Sequence, residues 1–524
     1  MATEPQVNTS RIASVDPATL ERLAEFKCAG ESEVRAAVEQ ARAAQPAWAA
    51  AGVRVRVEVL RNFQRRLHEK KREVARLITR EAGKPYVEAL LTDVLVTLDF
   101  ARFCAQRAPA LFRPEPVPHG NPALKAKSGY LLRHPHGVVG IISPWNYPLA
   151  IPAGEVLGAL VMGNAVVLKP SEFTTLTALD LRMLLLASGV PEALIQVIPG
   201  DGATGAALVA SPINKLIFTG SVPTGRRVAA AAAERLLPVI LELGGKDAML
   251  VLDDADLEVA SSAAVWGAFV NAGQTCLSVE RCYVHRSLHD KFVDMCVAKT
   301  ARLRVGIGLD PETDIGPLIH GGQVRTVEEH VTDAVNRGAR LLIGGSRLPH
   351  LGPNFYAPTV LADVDHGMSI MREETFGPVL PIAAFDSDDD AVRLANESEF
   401  GLAASVWTRN PARGRALASR LEAGTVMVND VVSCFGISEA PHGGIKSSGL
   451  GRTHGRLGLA EMTWLQYVDS DRLPGLRKPW WYGYGGRFTQ QMESLVDWLF
   501  ARGLWRRVRG ALRSTGALFR RGRV

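Results

Sequence analysis

The sequence lacks paired cysteine spacing, an apolar core in its opening residues, a membrane-spanning apolar run and a low-complexity linker. Its six cysteines, Cys28, Cys104, Cys276, Cys282, Cys296 and Cys434, are scattered without paired spacing, which excludes a disulfide-stapled secreted scaffold. The opening MATEPQVNTSR has no apolar core of the kind an export signal needs, so a reducing cytoplasm is expected. No uninterrupted apolar stretch reaches the roughly 18 to 20 residues of a spanning helix, which argues against an integral membrane protein. A basic body is missing too. Residues 477–524 hold eleven Lys or Arg against Glu493 and Asp497, a net of +9, so the chain total of +6 leaves −3 for residues 1–476. The basic excess belongs to the tail, and no nucleic-acid partner is expected.

What is present is an ordinary globular composition, 47% apolar and 22% charged over 524 residues, long enough for two or three domains. From Ser32 to Ala108 the chain is rich in Ala, Leu, Glu and Arg with apolar residues at helical spacing, which predicts several helices. The stretch from Ala110 to Pro135 is Pro-rich and irregular. After it come short β-branched runs, Gly137–Ser143, Ala165–Lys169, Ile195–Ile198, Lys215–Thr219 and Pro238–Glu242, whose starts lie 28, 30, 20 and 23 residues apart. That spacing leaves room for one crossover helix between successive strands, as in a parallel sheet covered on both faces. A doubly wound nucleotide-binding domain is expected, with ligands at the carboxyl ends of its strands. Past Asp247 a second βα series, with strands at Arg281–Val284, Val379–Ile382 and Thr425–Val428, predicts a second α/β domain.

Three segments carry chemistry. Cys276 follows a Gly-Gln turn in Phe269-Val-Asn-Ala-Gly-Gln-Thr-Cys276 and precedes an apolar strand; a lone cysteine is more often a small buried hydrophobe than a nucleophile. Glu242 lies between Leu241 and Leu243 at a strand end, followed by a glycine pair. It either pairs with Lys246 or caps a helix as plain structure, or is desolvated into the range a general base needs. Asn146, in Ser143-Pro-Trp-Asn-Tyr-Pro148, either holds a turn between two prolines or presents its amide to the oxyanion that forms when a thiolate attacks a carbonyl, together with the Cys276 backbone N–H.

Taken together, Pro144–Leu149, Val167-Leu-Lys-Pro-Ser-Glu172, Phe218-Thr-Gly-Ser221, Leu241-Glu-Leu-Gly-Gly-Lys246, Asn271–Cys276, Glu374-Thr-Phe-Gly-Pro378 and Pro441-His-Gly-Gly-Ile-Lys446 stand in the order found in the aldehyde dehydrogenase superfamily, which the chain resembles from about residue 30 to 470. The resemblance implies an α/β fold: a Rossmann-type parallel cofactor-binding sheet, a second α/β catalytic domain and a small oligomerisation arm. The boundaries expected are 1–112 and 136–244 for the NAD(P)-binding domain, 245–440 for the catalytic domain, 113–135 and 459–475 for the arm, and 476–524 for a basic C-terminal extension. It implies NAD(P)⁺-dependent oxidation of an aldehyde to the carboxylic acid, with Cys276 as nucleophile, Glu242 as general base for water and Asn146 as oxyanion donor.

The cofactor is expected against Ser143, Pro144, Trp145, Gly220, Ser221, Gly225 and Leu243. Gly220 to Gly225 open a helix whose N–H groups face the pyrophosphate, in place of the GxGxxG that the first sheet strand lacks. Lys169 and Glu172 resemble the pair that holds the adenosine ribose. Glu172 accepts from a free 2′-hydroxyl and repels a 2′-phosphate while Lys169 attracts one, so NAD⁺ is favoured and NADP⁺ is admitted. Glu374 and Phe376 resemble the residues that position the nicotinamide ribose, and no metal site is expected.

For the substrate, Tyr147, Ala150, Gly154, Thr275, Leu277 and Phe435 are expected to line the pocket. Small side chains at Ala150 and Gly154 leave a wide apolar entrance suited to medium- or long-chain or aromatic aldehydes. No Arg stands in that stretch to clamp the carboxylate of a semialdehyde, which is the alternative substrate, and a catalytically silent surface-binding protein is the remaining one. In the tail, Leu495, Trp498, Leu499, Trp505, Val508 and Leu512 recur at helical spacing among Arg502, Arg506, Arg507, Arg509 and Arg513. This predicts a basic amphipathic helix that either meets a membrane surface peripherally or packs on protein, in a homodimer or homotetramer.

Overall fold

The computed structural model describes residues 11–121, 124–475, 478 and 481–518. Residues 1–10, which make up most of the segment read for an export leader, and the part of the basic tail past 518 lie outside the described residues. The chain divides into two compact units, one of Met1–Arg113 with Arg133–Trp464 and one of Pro114–Leu132 with Leu465–Val524.

In the larger unit the helical N-terminal region contains α1 (Glu31–Ala50), α2 (Val53–Ala82) and α3 (Val96–Leu111). α2 stops at Gly83, whose φ of 81° closes the helix in the left-handed conformation. Between α2 and α3, Ala89–Leu95 winds as a π-helix, a conformation frequent at functional sites.

The first sheet follows. Its parallel strands are β1 (Val138–Ile142), β2 (Ala165–Lys169), β3 (Ile195–Val197), β4 (Lys215–Thr219) and β5 (Val239–Glu242). All five residues of β1 and of β2 are buried, as expected of strands covered on both faces. The crossovers include α4 (Ala150–Val161) and α5 (Val222–Ala233).

The second sheet has seven strands: β6 (Ala248–Val251), β7 (Arg281–His285), β8 (Arg340–Ile343), β9 (Thr359–Ala362), β10 (Val379–Phe385), β11 (Ala403–Trp407) and β12 (Thr425–Val428), in the order β8-β9-β10-β7-β6-β11-β12. Only β8 runs antiparallel to its neighbour. The helix after β6 is α6 (Leu257–Phe269), and α7 (Gly321–Asn336) precedes β8. A short strand far along the chain, β13 (Gly449–Leu450), returns to the first sheet and completes the order β13-β5-β4-β1-β2-β3.

That order locates the binding crevice. From β1 the chain steps outward through β2 to β3, then reverses to lay β4 on the other side of β1. The β1 and β4 crossovers therefore leave in opposite directions, and the gap between their carboxyl ends is where such sheets take ligands. The segments 143–146 and 219–221 begin there.

The smaller unit is built on an antiparallel sheet of Glu115–Val117, Lys127–Pro135 and Thr463–Asp471. The region read as irregular thus contains strands, because Lys127–Pro135 finds its hydrogen-bonding partners in Glu115–Val117 and in the remote segment Thr463–Asp471. After the sheet come α8 (Gly486–Phe500) and α9 (Leu504–Leu518). The tail is a helical hairpin rather than one helix: Gly503 takes φ 104°, which breaks the periodic pattern between Leu499 and Trp505.

Candidate active site

Asn146, Glu242 and Cys276, from three remote segments, line one cavity of about 310 Å³ in the larger unit. Each is delivered by a different local device. Asn146 lies just past the carboxyl end of β1. Glu242 is the last residue of β5, its backbone paired with Thr219 of β4 on one side and Gly449 of β13 on the other. Cys276 sits on a tight reversal after α6, in which Asn271, Ala272 and Gly273 take φ of 54°, 55° and 73°. A Cβ at Gly273 would fall 2.1 Å from the Gly377 carbonyl oxygen, so only glycine fits.

Side-chain amides tie this reversal to the β1 loop. The Asn271 amide donates to the carbonyls of Asn146 (3.0 Å) and Gln274 (3.1 Å), and the Asn146 amide donates to the Gln274 carbonyl at 3.1 Å. The donor and the sulfur are therefore held on one hydrogen-bonded frame.

Glu242 is buried. Its Oε1 accepts from the Thr453 hydroxyl at 3.2 Å, while its Oε2, also buried, has no hydrogen-bond partner. The nearest cation-capable group, His442 Nε2, is 3.8 Å from Oε2, but burial pushes this imidazole down to about 4 and leaves it neutral at pH 7. Burial raises the Glu242 carboxyl well above its ordinary range; Glu155 adds to the shift, and Thr453 and Arg452 oppose it. Burial, followed by the nearby Glu374, Asp247 and Glu242, likewise raises the Cys276 thiol well above its ordinary value. The site thus combines a protonated thiol with a carboxyl group whose vacant oxygen needs a hydrogen-bond donor.

The side of the cavity where a cofactor is expected is walled by Pro144, Trp145, Gly220, Ser221, Leu243, Glu374 and Phe376. Trp145 meets Phe376 edge-on at 5.5 Å. Glu374 Oε1 accepts the Gly245 N–H at 3.1 Å, and burial pushes this carboxyl up to about 8. Ser221 stands at the N-terminus of α5 with no side chain capping the helix, and Pro223 in its first turn carries no N–H. A Cβ on Gly225 would fall 2.4 Å from Leu243 Cδ2, so glycine there brings α5 against Leu243. Ser143, Lys169, Glu172 and Gly225 lie outside the cavity lining. Lys169, the last residue of β2, and Glu172 form a 3.4 Å ion pair. The cradle fits a dinucleotide: bare helix-terminal amides for phosphates, a carboxylate beside an ammonium for a ribose, and an acid with an aromatic ring next to the thiol.

Of the expected substrate-pocket residues, Gly154 and Phe435 line the cavity. Tyr147, Ala150, Thr275 and Leu277 stand one layer back. Tyr147 is buried with its hydroxyl 2.7 Å from Thr275 Oγ1 and the Lys84 ammonium 3.9 Å over its ring, and it packs with Ala150, Ile151 and Phe435. The contact with Thr275 satisfies the buried Tyr147 hydroxyl. Sequence reasoning missed Phe100, Glu155, His442, Thr453 and His454, all of which line the cavity. His442 lies inside one of the segments quoted above; Phe100 had no local signal, because only packing of α3 brings it here.

A parallel sheet with a ligand crevice at its switch point, opening beside a half-buried thiol and a buried carboxyl, defines a dinucleotide-dependent oxidoreductase. The chain matches the aldehyde dehydrogenase family over residues 4–468 and belongs to it; it is an oxidoreductase acting on aldehydes. Among its relatives, a 4,4′-diapolycopene aldehyde oxidase of Methylomonas sp is 37% identical over 93% of this chain and 91% of its own. A putative succinate-semialdehyde dehydrogenase [NADP(+)] of Mycobacterium ulcerans is 40% identical over 85% and 86%. The crystal structure of an NAD-dependent aldehyde dehydrogenase from Sinorhizobium meliloti superposes with a TM-score of 0.86 at 36% identity, covering 90% of this chain and 93% of that one.

Proposed function

We propose that this enzyme oxidises medium- or long-chain or aromatic aldehydes to carboxylic acids, with Cys276 as nucleophile, Glu242 as general base and Asn146 as oxyanion donor. The observation that carries the chemistry is the unpartnered, buried Oε2 of Glu242 in the same cavity as the Cys276 thiol. Cys276 gives up its proton to solvent as Sγ bonds the aldehyde carbon, and the Asn146 amide and the Cys276 backbone N–H hold the resulting oxyanion. A nicotinamide dinucleotide bound in the cradle supplies the two-electron acceptor that turns this adduct into a thioester. Glu242 then takes a proton from water, the water oxygen adds to the acyl carbon, the C–S bond breaks and Sγ recovers a proton. NAD⁺ is the favoured cofactor and NADP⁺ is admitted, on the opposed charges of Glu172 and Lys169.

Support for the substrate class comes from charge. No Lys or Arg stands among the described residues lining the cavity, whereas Phe100, Ile151, Leu402, Phe435, Leu459 and Met462 do. A carboxylated substrate would be desolvated there without a cation. The names of relatives such as that of Mycobacterium ulcerans favour a second reading, a semialdehyde; the name of the Methylomonas relative favours an apolar aldehyde. In the same reading, the segments 113–135 and 459–475 join subunits into a homodimer or homotetramer. The enzyme works in the cytoplasm, at the inner face of a membrane through residues 476–524.

Pre-steady-state reduction of NAD⁺ and of NADP⁺ with hexanal, dodecanal, benzaldehyde and succinate semialdehyde tests all of this. Wild type should turn over the apolar aldehydes without added CoA, Cys276→Ala should give no reduction, and Glu242→Gln should keep a single-turnover burst while losing about 100-fold or more in steady state. Faster turnover of succinate semialdehyde than of hexanal would overturn the substrate class, and a missing burst in Glu242→Gln would overturn the role of Glu242 as deacylation base.

A further inference from the structure

The hairpin of α8 and α9 has an inner face built for close helix contact. A Cβ on Gly510 would lie 2.5 Å from Trp498 N and 2.6 Å from the Ser494 carbonyl oxygen, so only this small residue lets α9 approach α8. The Arg507 guanidinium donates to the carbonyls of Trp498 (3.2 Å) and Leu499 (3.1 Å), satisfying acceptors that the end of α8 leaves open. Ser514 is buried on the same side.

The outer face is apolar. Phe500, Leu504, Trp505 and Leu512 are between 72% and 86% exposed, and Val496 is exposed beside them. At 100° per residue, Leu504, Trp505, Val508 and Leu512 fall within an arc of about 100° on α9, away from Gly510 and Ser514. Arg509, Arg513 and Arg506 follow at about 40°, 80° and 100° beyond one edge of that arc, close enough for long side chains to reach its rim, and no Asp or Glu occurs between Trp498 and Leu518. Each helix has 15 residues, about 22 Å, well short of a bilayer's hydrocarbon core, and no described helix is long and apolar enough to cross a membrane.

We propose that this outer face is a docking surface for an anionic lipid bilayer. The hairpin lies in the plane of the headgroups with Phe500, Leu504, Trp505 and Leu512 in the acyl boundary and Arg506, Arg509 and Arg513 on lipid phosphates. Charge decides the partner. The same face of a second copy would bring arginines against arginines, whereas an acidic bilayer complements both the apolar arc and its basic rim. The assignment is independent of the catalytic chemistry and turns the membrane contact suggested by composition into named residues.

The test is co-sedimentation of the full-length enzyme with phosphatidylcholine vesicles, with and without phosphatidylglycerol. Wild type should pellet with the phosphatidylglycerol vesicles and release in high salt. Trp505→Glu/Leu512→Glu and Arg506→Glu/Arg509→Glu/Arg513→Glu should each lower the bound fraction by about tenfold or more, while Trp505→Phe/Leu512→Met stays near wild type. Turnover of hexanal should be unchanged in all of them, which shows that the body remains folded. Failure of wild type to pellet, equal pelleting of the Glu variants, or loss of binding in the apolar-to-apolar variant would overturn the proposal. So would a change in subunit number by light scattering in Trp505→Glu/Leu512→Glu without vesicle binding by wild type, an outcome that assigns the face to a second copy.

Discussion

The Glu88 carboxylate accepts the backbone N–H of Asn271 at 2.9 Å across 183 residues of chain, and Asn271 is the first left-handed residue of the turn that presents Cys276. A non-glycine residue with positive φ is held there only if its surroundings over-determine it. Glu88 supplies one restraint, and the Asn271 amide bonds to Asn146 and Gln274 supply two more. Burial pushes the Glu88 carboxyl up to about 7, with Lys84 and the Asn271 amide opposing the rise. Glu88→Ala should therefore lower kcat by about 10- to 100-fold and slow alkylation of Cys276 by iodoacetamide. Glu88→Gln keeps an acceptor and should stay much closer to wild type, but without the wild-type rise in activity through pH 7, where a carboxylate replaces the weaker neutral acceptor. Equal loss in both variants would show that Glu88 acts through packing.

Gly154 and Gly158 occupy the middle of the buried helix α4, where glycine costs about 1 kcal/mol relative to alanine. Sterics do not demand them. A Cβ at Gly154 would meet His454 Nε2 at 3.4 Å and Phe100 at 4.0 Å, and one at Gly158 would meet nothing nearer than 3.8 Å. What they provide is open cavity. Gly158→Ala should raise stability by about 0.5–1 kcal/mol in chemical denaturation, and Gly154→Leu should lower kcat/KM for dodecanal at least about tenfold more than for acetaldehyde. A uniform change across chain lengths would sink the role assigned to Gly154.

Burial pushes the Glu155 carboxyl up to about 8, against the weaker lowering effect of the Thr219 hydroxyl that donates to its Oε1 at 3.1 Å. The sign of the linkage follows. Below about pH 4.5 the carboxyl is protonated in both folded and unfolded chains; between there and 8 only the folded chain keeps the proton, so stability falls as pH rises. Glu155→Gln removes this loss while preserving the acceptor for Thr219. Its stability relative to wild type should be greater at pH 8 than at pH 5, by about 1–3 kcal/mol. Denaturant melts at the two pH values measure it, and a pH-independent difference would refute it.

Lys169 and Glu172 pair at 3.4 Å with Glu172 the more exposed partner. Removing the negative charge in Glu172→Gln should raise kcat/KM for NADP⁺ by about tenfold and lower that for NAD⁺. An unchanged ratio would place the adenosine ribose elsewhere.

Much of the framework was legible because it depends on local pattern. The β-branched runs at Ala165–Lys169 and Lys215–Thr219 match β2 and β4 residue for residue, since a strand buried on both faces needs an apolar middle. The tail was half legible: helical periodicity showed the apolar residues, but Gly503 splits them between two helices and Gly510 lets those helices close on each other. What the Tyr147 hydroxyl bonds was not legible, because its partner Thr275 is 128 residues away and no local pattern announces it.

By itself the sequence determined which groups are chemically competent: a cysteine after a turn, a glutamate between leucines and an asparagine past a strand. Tertiary structure alone decided their state. Whether Glu242 is left with a bare oxygen, whether Cys276 keeps its proton and which glycines open onto space depend on what packs around each group. Desolvation and close contact are sums over neighbours that the linear chain does not hold together.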